Sequence, residues 1–209
     1  MKQRQTPKIR YIEPKKLSDF LFFDFIEQSS FEKEDYPKEL SVSEWNECVF
    51  KHINFSLHKS QLNSIHIVDC QFYSCDFSNQ SFRDVSFTRV EFHHCKLIGI
   101  DFTKVHFFDC LFDDCQMIYS NFAECQMKNV EFVDSNLTEA RIFSTILPDT
   151  LFSNCVLKEL EILRTGLRKI DFSSCDIEGI KIDTYSVKGM IISFEQSGFL
   201  LPIFDIHVK

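Results

Sequence analysis

Between residues 62 and 182 large apolar side chains recur at every fifth position, from Leu62 and Ile67 through Phe72, Phe77, Phe82, Phe87 and Phe92 to Ile177 and Ile182. A helix turns about 100° per residue, so every fifth residue falls about 140° further round and no face collects the set; in a strand, every fifth residue has changed sides. A second series lies two residues before each large one and is smaller, including Cys70, Cys75, Val85, Cys95, Val105, Cys110, Ser120 and Ala140, with Gln80 out of pattern. Two inward positions spaced by two mark a short extended segment, and the three mostly polar positions between them suit a surface turn. Each group of five is one side and one corner.

Asp or Asn often precedes the large residue, as in "CDFSN", "GIDFT", "YSNFA", "DSNLT" and "KIDFS". Over about residues 43–187 the pattern resembles the pentapeptide repeat family. The resemblance implies an all-β solenoid, a right-handed quadrilateral β-helix with about four pentapeptides per coil. A twenty-residue coil leaves its own trace. The column from Phe72 reads Phe92, Phe112, Phe132, Phe152, Phe172, whereas the next, from Phe77, continues Leu97, Met117, Leu137, Leu157, Ile177.

The frame slips once near its start. Trp45, Phe50 and Phe55 keep the period, but Phe55 to Leu62 is seven residues, so two extra residues bulge within Ser56, Leu57, His58, Lys59, Ser60 and Gln61. Residues 1–42 read as an N-terminal cap segment, in which "SDFLFFDFIE" is either two further pentapeptides centred on Phe20 and Phe25 or an amphipathic helix capped by Ser18. The first sixteen residues hold Lys2, Arg4, Lys8, Arg10, Lys15 and Lys16 against Glu13, and read as a solvated basic arm. Residues 188–209 read as a capping helix opened by Ser193-x-x-Gln196, then an apolar closing strand.

Nine cysteines all occupy the small inward position, and no C-x-x-C pair is present. They read as structural thiols in a reducing, cytoplasmic setting, with no metal and no cofactor implied. The apolar run "FLFFDFI" is too short to span a bilayer and is cut by Asp24, so no membrane partner is expected. Neither a nucleophile–base arrangement nor a phosphate-cradling glycine loop is visible, and a filled helix offers no cavity, which argues against an enzyme and assigns no catalytic residue.

"CDIEGIKIDTYSVKGMIIS" with its Gln-bearing helix, and "RVEFHHCKLIGIDF" in the body, resemble the quinolone-resistance (Qnr) pentapeptide proteins and their Gram-positive relatives. That resemblance implies a homodimer joined through the tail, with Phe199, Leu200, Leu201, Ile203, Phe204, Ile206 and Val208 as its interface. It also implies a rod that imitates DNA to bind a type II topoisomerase, DNA gyrase or topoisomerase IV, without itself binding nucleic acid. The charge pattern agrees with an acidic partner surface. The net charge is -8, and the Phe-column face carries Glu91, Asp113, Asp114, Glu131, Asp134 and Asp171 with no Lys or Arg. The next face carries Asp76, Glu139, Glu159, Asp176 and Glu178 against Lys96 and Lys158, while His93 and His94 read as surface residues. The 56–61 bulge is a second candidate contact by resemblance. The alternative reading is a scaffold for some other protein.

Overall fold

The computed structural model describes residues 3–57 and 62–206. It is a four-sided parallel β-solenoid of about 8 turns with one short C-terminal helix. Strands of mostly three residues stack in register one coil apart: Phe72 faces Phe92, Phe112 faces Phe132, and Phe132 faces Phe152, twenty residues on in each case. Two sides form a continuous sheet, because the strands His106–Asp113 and Gln126–Val133 run round the corner between them. The third side is built from Asn121–Ala123, Arg141–Phe143, Glu161–Leu163 and Lys181–Ile182, and the fourth from single bridges such as Asp76 to Lys96 and Lys96 to Gln116. Among the described residues, no helix is long and apolar enough to cross a membrane.

Every large residue of the five-residue series from Leu62 to Ile182 is buried, and so is every described member of the smaller series, Gln80 included. The Phe column extends further than the sequence period indicated. Phe31, Phe50, Phe72, Phe92, Phe112, Phe132 and Phe152 stack face to face with centroids 4.9 to 5.2 Å apart, and Phe172 follows at 5.1 Å with a tilt. Offset ring pairs add about 0.5–1.5 kcal/mol each beyond burial.

Small size is only part of why Cys, Ser and Thr fill the inner corner. Many of these side chains donate to the carbonyl of the large residue one coil back, as in Cys95 Sγ to Phe72 O (3.4 Å), Cys115 Sγ to Phe92 O (3.4 Å) and Thr145 Oγ1 to Phe122 O (2.6 Å). Along one edge the hydroxyls also accept: Cys125 N–H reaches Thr145 Oγ1, Thr145 N–H reaches Thr165 Oγ1, and Thr165 N–H reaches Ser186 Oγ. All nine cysteines are free and buried.

The outer corner adopts a left-handed conformation two residues after the large one, at Ser74, His94, Asp114, Asp134 and their equivalents. Non-glycine residues there cost on the order of 1–3 kcal/mol each unless neighbours hold them. A hydrogen bond from each corner N–H to the next coil does so, for example Asp114 N–H to Val133 O (3.0 Å) and Asp134 N–H to Ser153 O (2.9 Å). At the corner of Gly99 a Cβ would lie 2.7 Å from Asn79 Oδ1, so this edge takes no larger residue without displacing Asn79.

The two extra residues near the start appear as a register of 22, with Trp45 facing Ile67 and Phe50 facing Phe72. Within residues 1–42 the ladder is already present. Phe25–Glu27 pairs with Glu44–Asn46, Ser29–Glu32 with Val49–Lys51, and Glu13–Pro14 with Ser29 and Ser30. Ile26, Phe31, Tyr36 and Leu40 are the large buried residues at the successive sides of this first coil, while Phe25 is about half exposed. Hence Phe25 is not a central residue: the spacing from Tyr36 to Leu40 is four, and this shortened corner shifts the inward set by one. Leu17–Phe20 is a 3-10 turn preceded by Lys16, whose N–H reaches Asp19 Oδ2 at 3.1 Å; Ser18 caps no helix.

At the other end, Ser193 N–H reaches Gln196 Oε1 at 2.7 Å, one half of the expected capping box, but the α-helix begins later, at Ser197–Leu200. The buried Gln196 amide donates to Phe172 O and Cys175 O, closing the open edge of the last coil. The expected closing strand is instead a 3-10 turn, Leu201–Phe204, because Pro202 cannot donate to a ladder. Replacing Phe112, held between Phe92 and Phe132, with Ala should cost about 3–5 kcal/mol. Urea denaturation should show that loss, whereas Phe22→Ala, at a side chain 98% exposed, should leave the midpoint unchanged.

Candidate interaction surface

Coil stacking sets the electrostatics of the surface, since the nearest neighbour of an outward side chain is its equivalent twenty residues on. Most columns interleave a carboxylate with an opposite or neutral partner. Asp69 receives Arg89 in a two-pronged pair, with both contacts at 2.7 Å. Asp109 Oδ1 accepts Asn129 Nδ2–H at 2.9 Å, Lys158 pairs with Glu178 at 2.7 Å, and Lys181 pairs with Glu159 at 2.9 Å.

The eleven carboxylates read from the sequence as one acidic surface fall into four groups. Glu91 points outward from its strand but is covered. It is 6% exposed, and its oxygens take Arg4 Nη1 (3.0 Å), Gln71 Nε2 (2.8 Å) and His93 Nε2 (3.3 Å). Glu131 is half-buried and holds Arg4 Nε at 3.2 Å. The basic arm is therefore not a free solvated tail: residues 4–10 lie along the rod, because buried carboxylates outcompete water for its charges and N–H groups. The sequence held the basic residues but gave no sign of where an arm of irregular backbone would lie.

Asp113 and Asp114 are paired with the histidines. His93 Nδ1 lies 3.0 Å from Asp113 and His94 Nδ1 lies 2.9 Å from Asp114, while the His93 ring stacks on Tyr73 at 4.9 Å. Asp76, Asp171 and Asp176 bend the chain: each accepts the N–H of the residue two positions on, at 2.9, 2.8 and 3.2 Å. This explains the recurrent Asp or Asn before the large residue, a turn-forming Asx role that the sequence signalled through the Ser or Thr that often follows. Glu178 and Asp176 both contact Lys158.

Asp134, Glu139 and Glu159 remain, and with Asp114 they stand exposed at left-handed corners, Glu139 accepting from Tyr119 OH at 3.2 Å and Glu159 holding Lys181. Asp114 stacks under Asp134, and Glu139 under Glu159. Within residues 62–182 these are the places where acid is stacked on acid, and they border one side of the rod. Like charges directly opposite on stacked strands are destabilising.

The bulge is described only in part. Ser56 bonds Asn54 Oδ1 through N–H and Oγ, and Leu57 is 52% exposed; His58, Lys59, Ser60 and Gln61 lie outside the described residues, as does Val208. At the C-terminal end Phe199, Phe204 and Ile206 are exposed, whereas Leu200 and Ile203 pack on the core and Leu201 is half-buried. Ile191 and Phe194, the latter 89% exposed, belong to the same apolar end.

Burial acts to raise the Glu91 carboxyl, yet the bonds from His93, Gln71 and Arg4 outweigh it and hold its pKa at about 2. His93 is raised, first by Glu91 and also by Asp113. Folding lowers Glu91 from an ordinary 4.5, so its stabilisation is present above pH 4.5 and lost as the pH falls toward 2. Folding raises His93 from 6.5, so its stabilisation is full below pH 6.5 and lost as the pH climbs through the folded value. The stability lost in His93→Gln should be largest between these ordinary values, by about 1 kcal/mol, and should shrink on the alkaline side. Denaturation midpoints across a pH series check this; a pH-independent difference contradicts it.

The sequence model described as "Pentapeptide repeat region" matches residues 65–142 and 85–162. No curated protein sequence matches the chain. Among solved structures, trypsin-treated QnrB1, a plasmid-mediated fluoroquinolone resistance protein, is similar at 23% identity over 88% of this chain and 90% of that one, with a TM-score of 0.33. A pentapeptide repeat protein of the Arabidopsis thaliana thylakoid lumen is 18% identical over 41% of this chain and 63% of its own, with a TM-score of 0.37. HetL, a pentapeptide repeat protein involved in heterocyst differentiation regulation in the cyanobacterium Nostoc, is 10% identical over 80% and 86%, with a TM-score of 0.27.

Proposed function

We propose that this chain, a pentapeptide repeat protein, is a non-catalytic interaction rod whose acidic corners imitate the charge of duplex DNA and dock on the basic DNA-binding surface of a type II topoisomerase such as DNA gyrase or topoisomerase IV. The stacking of Asp114 on Asp134 and Glu139 on Glu159 carries this reading. A fold that interleaves its charges in most other columns here stacks acid on acid about 4.8 Å apart, with His94 on Asp114, Tyr119 on Glu139 and Lys181 on Glu159 as partners. A basic partner surface is attracted to that concentration of exposed negative charge. The resemblance of "RVEFHHCKLIGIDF" and the tail to the Qnr proteins supplies the class of partner.

Attraction of this kind is screened within about 8 Å at physiological ionic strength, so binding falls steeply with salt. Replacing Asp114, Asp134, Glu139 and Glu159 with Lys should preserve the fold, since Lys33, Lys104 and Lys169 already occupy left-handed corners. The variant should bind gyrase, and inhibit or protect it in a supercoiling assay with and without a fluoroquinolone, at least about tenfold more weakly. Undiminished activity of a folded variant rejects the reading and leaves a scaffold for a different protein, which the ion-paired Lys158, Asp176 and Glu178 cluster also suits.

The apolar C-terminal end supports a homodimer in which two rods join tail to tail. Exposed Phe194 and Phe204 are the positions to test, because Leu200 and Ile203 already serve the core. Phe194→Asp with Phe204→Asp should give a folded monomer by light scattering, with wild type a dimer at micromolar concentration; a monomeric wild type contradicts the dimer.

A further inference from the structure

The N-terminal arm occupies a corner of the rod that differs from the other corners. At the edges carrying Asp114 and Glu139 the left-handed residues are exposed, whereas Asp69, Asp109 and Asn129 on this edge are buried at 6, 1 and 3% exposure. The arm climbs the edge coil by coil. Arg10 N–H meets Glu47 Oε2 at 3.4 Å, Lys8 N–H meets Asp69 Oδ1 at 2.8 Å, and the Arg4 guanidinium bridges Glu91 and Glu131, which lie two coils apart. An extended chain advances about 3.3 Å per residue and the coils rise about 4.8 Å, so two residues of arm suffice for one coil. Arg4 thus spans the coil between, the one that carries Asp109.

The trench under Arg4 is not filled by what the arm donates. Asp109 Oδ1 is satisfied by Asn129, but Asp109 Oδ2 and Asn129 Oδ1 are buried without a hydrogen-bond partner. Buried acceptors left unpaired are costly, and a guanidinium, with five donors in a planar fork, is the group suited to several acceptors at once. Arg4 spends its Nε and one Nη on Glu91 and Glu131. The floor therefore offers more acceptors than the arm satisfies.

We propose that residues 3–10 are a displaceable strap, and that the trench formed by Asp69, Glu91, Asp109, Asn129 and Glu131 is a binding site for an extended, arginine-bearing segment of a protein partner, for which the strap competes in cis. The site lies on a different edge from the exposed Asp114, Asp134, Glu139 and Glu159 corners, and it stands whether or not the partner is a topoisomerase. The strap acts as a built-in competitor: it keeps a buried acidic floor charged and folded in the free protein, and it yields to a segment that supplies more donors.

The test uses the full chain and a labelled synthetic peptide of residues 1–12 as the probe. In Arg4→Ala the cis contact to both glutamates is lost while the repeats are untouched. Fluorescence anisotropy should then show the peptide binding Arg4→Ala about tenfold or more tightly than wild type, as expected when one charged, two-sided contact is removed from the competitor. Adding Glu131→Gln, on a half-buried outer position, should weaken that binding at least about fivefold without unfolding the rod. Hydrogen exchange at the Lys8 amide should be slow in wild type and faster in Arg4→Ala. Equal peptide binding by wild type and Arg4→Ala, or binding by neither, overturns the proposal, as does unchanged Lys8 protection in Arg4→Ala. Since no topoisomerase enters the assay, a failure here and a failure of the DNA-mimic reading are separate outcomes.

Discussion

In-register stacking of one coil on the next is the constraint on which everything else rests. A parallel ladder satisfies the backbone N–H and C=O groups only if each residue meets its equivalent one coil later, and this forces like to stack on like. Inside, the consequence is favourable: rings of Phe72, Phe92, Phe112 and Phe132 lie about 5 Å apart in nearly parallel planes. The same constraint explains the inner corner, where a side chain must be small and must also satisfy a carbonyl of the coil below. Cys, Ser and Thr do both, which is why a chain with nine thiols has neither a disulfide nor a need for one.

Outside, the same rule is a liability. A carboxylate at any outward position meets whatever stands one coil away, so an acidic rod must interleave its charges or bear their repulsion. Arg89 between Asp69 and Asp109, Lys158 against Glu178, and Lys181 beside Glu161 are the interleaved solution. Asp114 with Asp134, and Glu139 with Glu159, depart from it. A third solution is the arm, which brings Arg4 from outside the repeats to bridge Glu91 and Glu131 across an intervening Leu111 that has no charge to offer.

The two acidic regions differ physically. At the exposed corners charge is screened and weakly coupled to folding, so it is available to a partner at little structural cost. Under the arm, Glu91 is desolvated and held ionised by three donors, so its charge is tied to the folded state. The rod presents one open acidic side, bordered by two exposed corners, and one acidic edge closed by the arm.

The five-residue period determined the repeat, the four sides, the inward residues and the Phe column, because periodicity in a solenoid is repeated at each coil and each coil reinforces the last. It also located the two-residue insertion after Phe55, since a slip in so strict a frame has nowhere else to go. What the sequence alone did not decide are matters of long-range placement. The first coil, with Ile26 inward and Phe25 outward, depended on a corner shortened at Tyr36 to Leu40, which no local pattern marks. Outwardness of Glu91 followed from its place in the frame, and only the folded chain shows Arg4, 87 residues away, covering it. Local propensity fixes which way a side chain points from its coil; whether water or another part of the chain meets it there is settled by tertiary structure, because that depends on contacts between residues far apart in sequence.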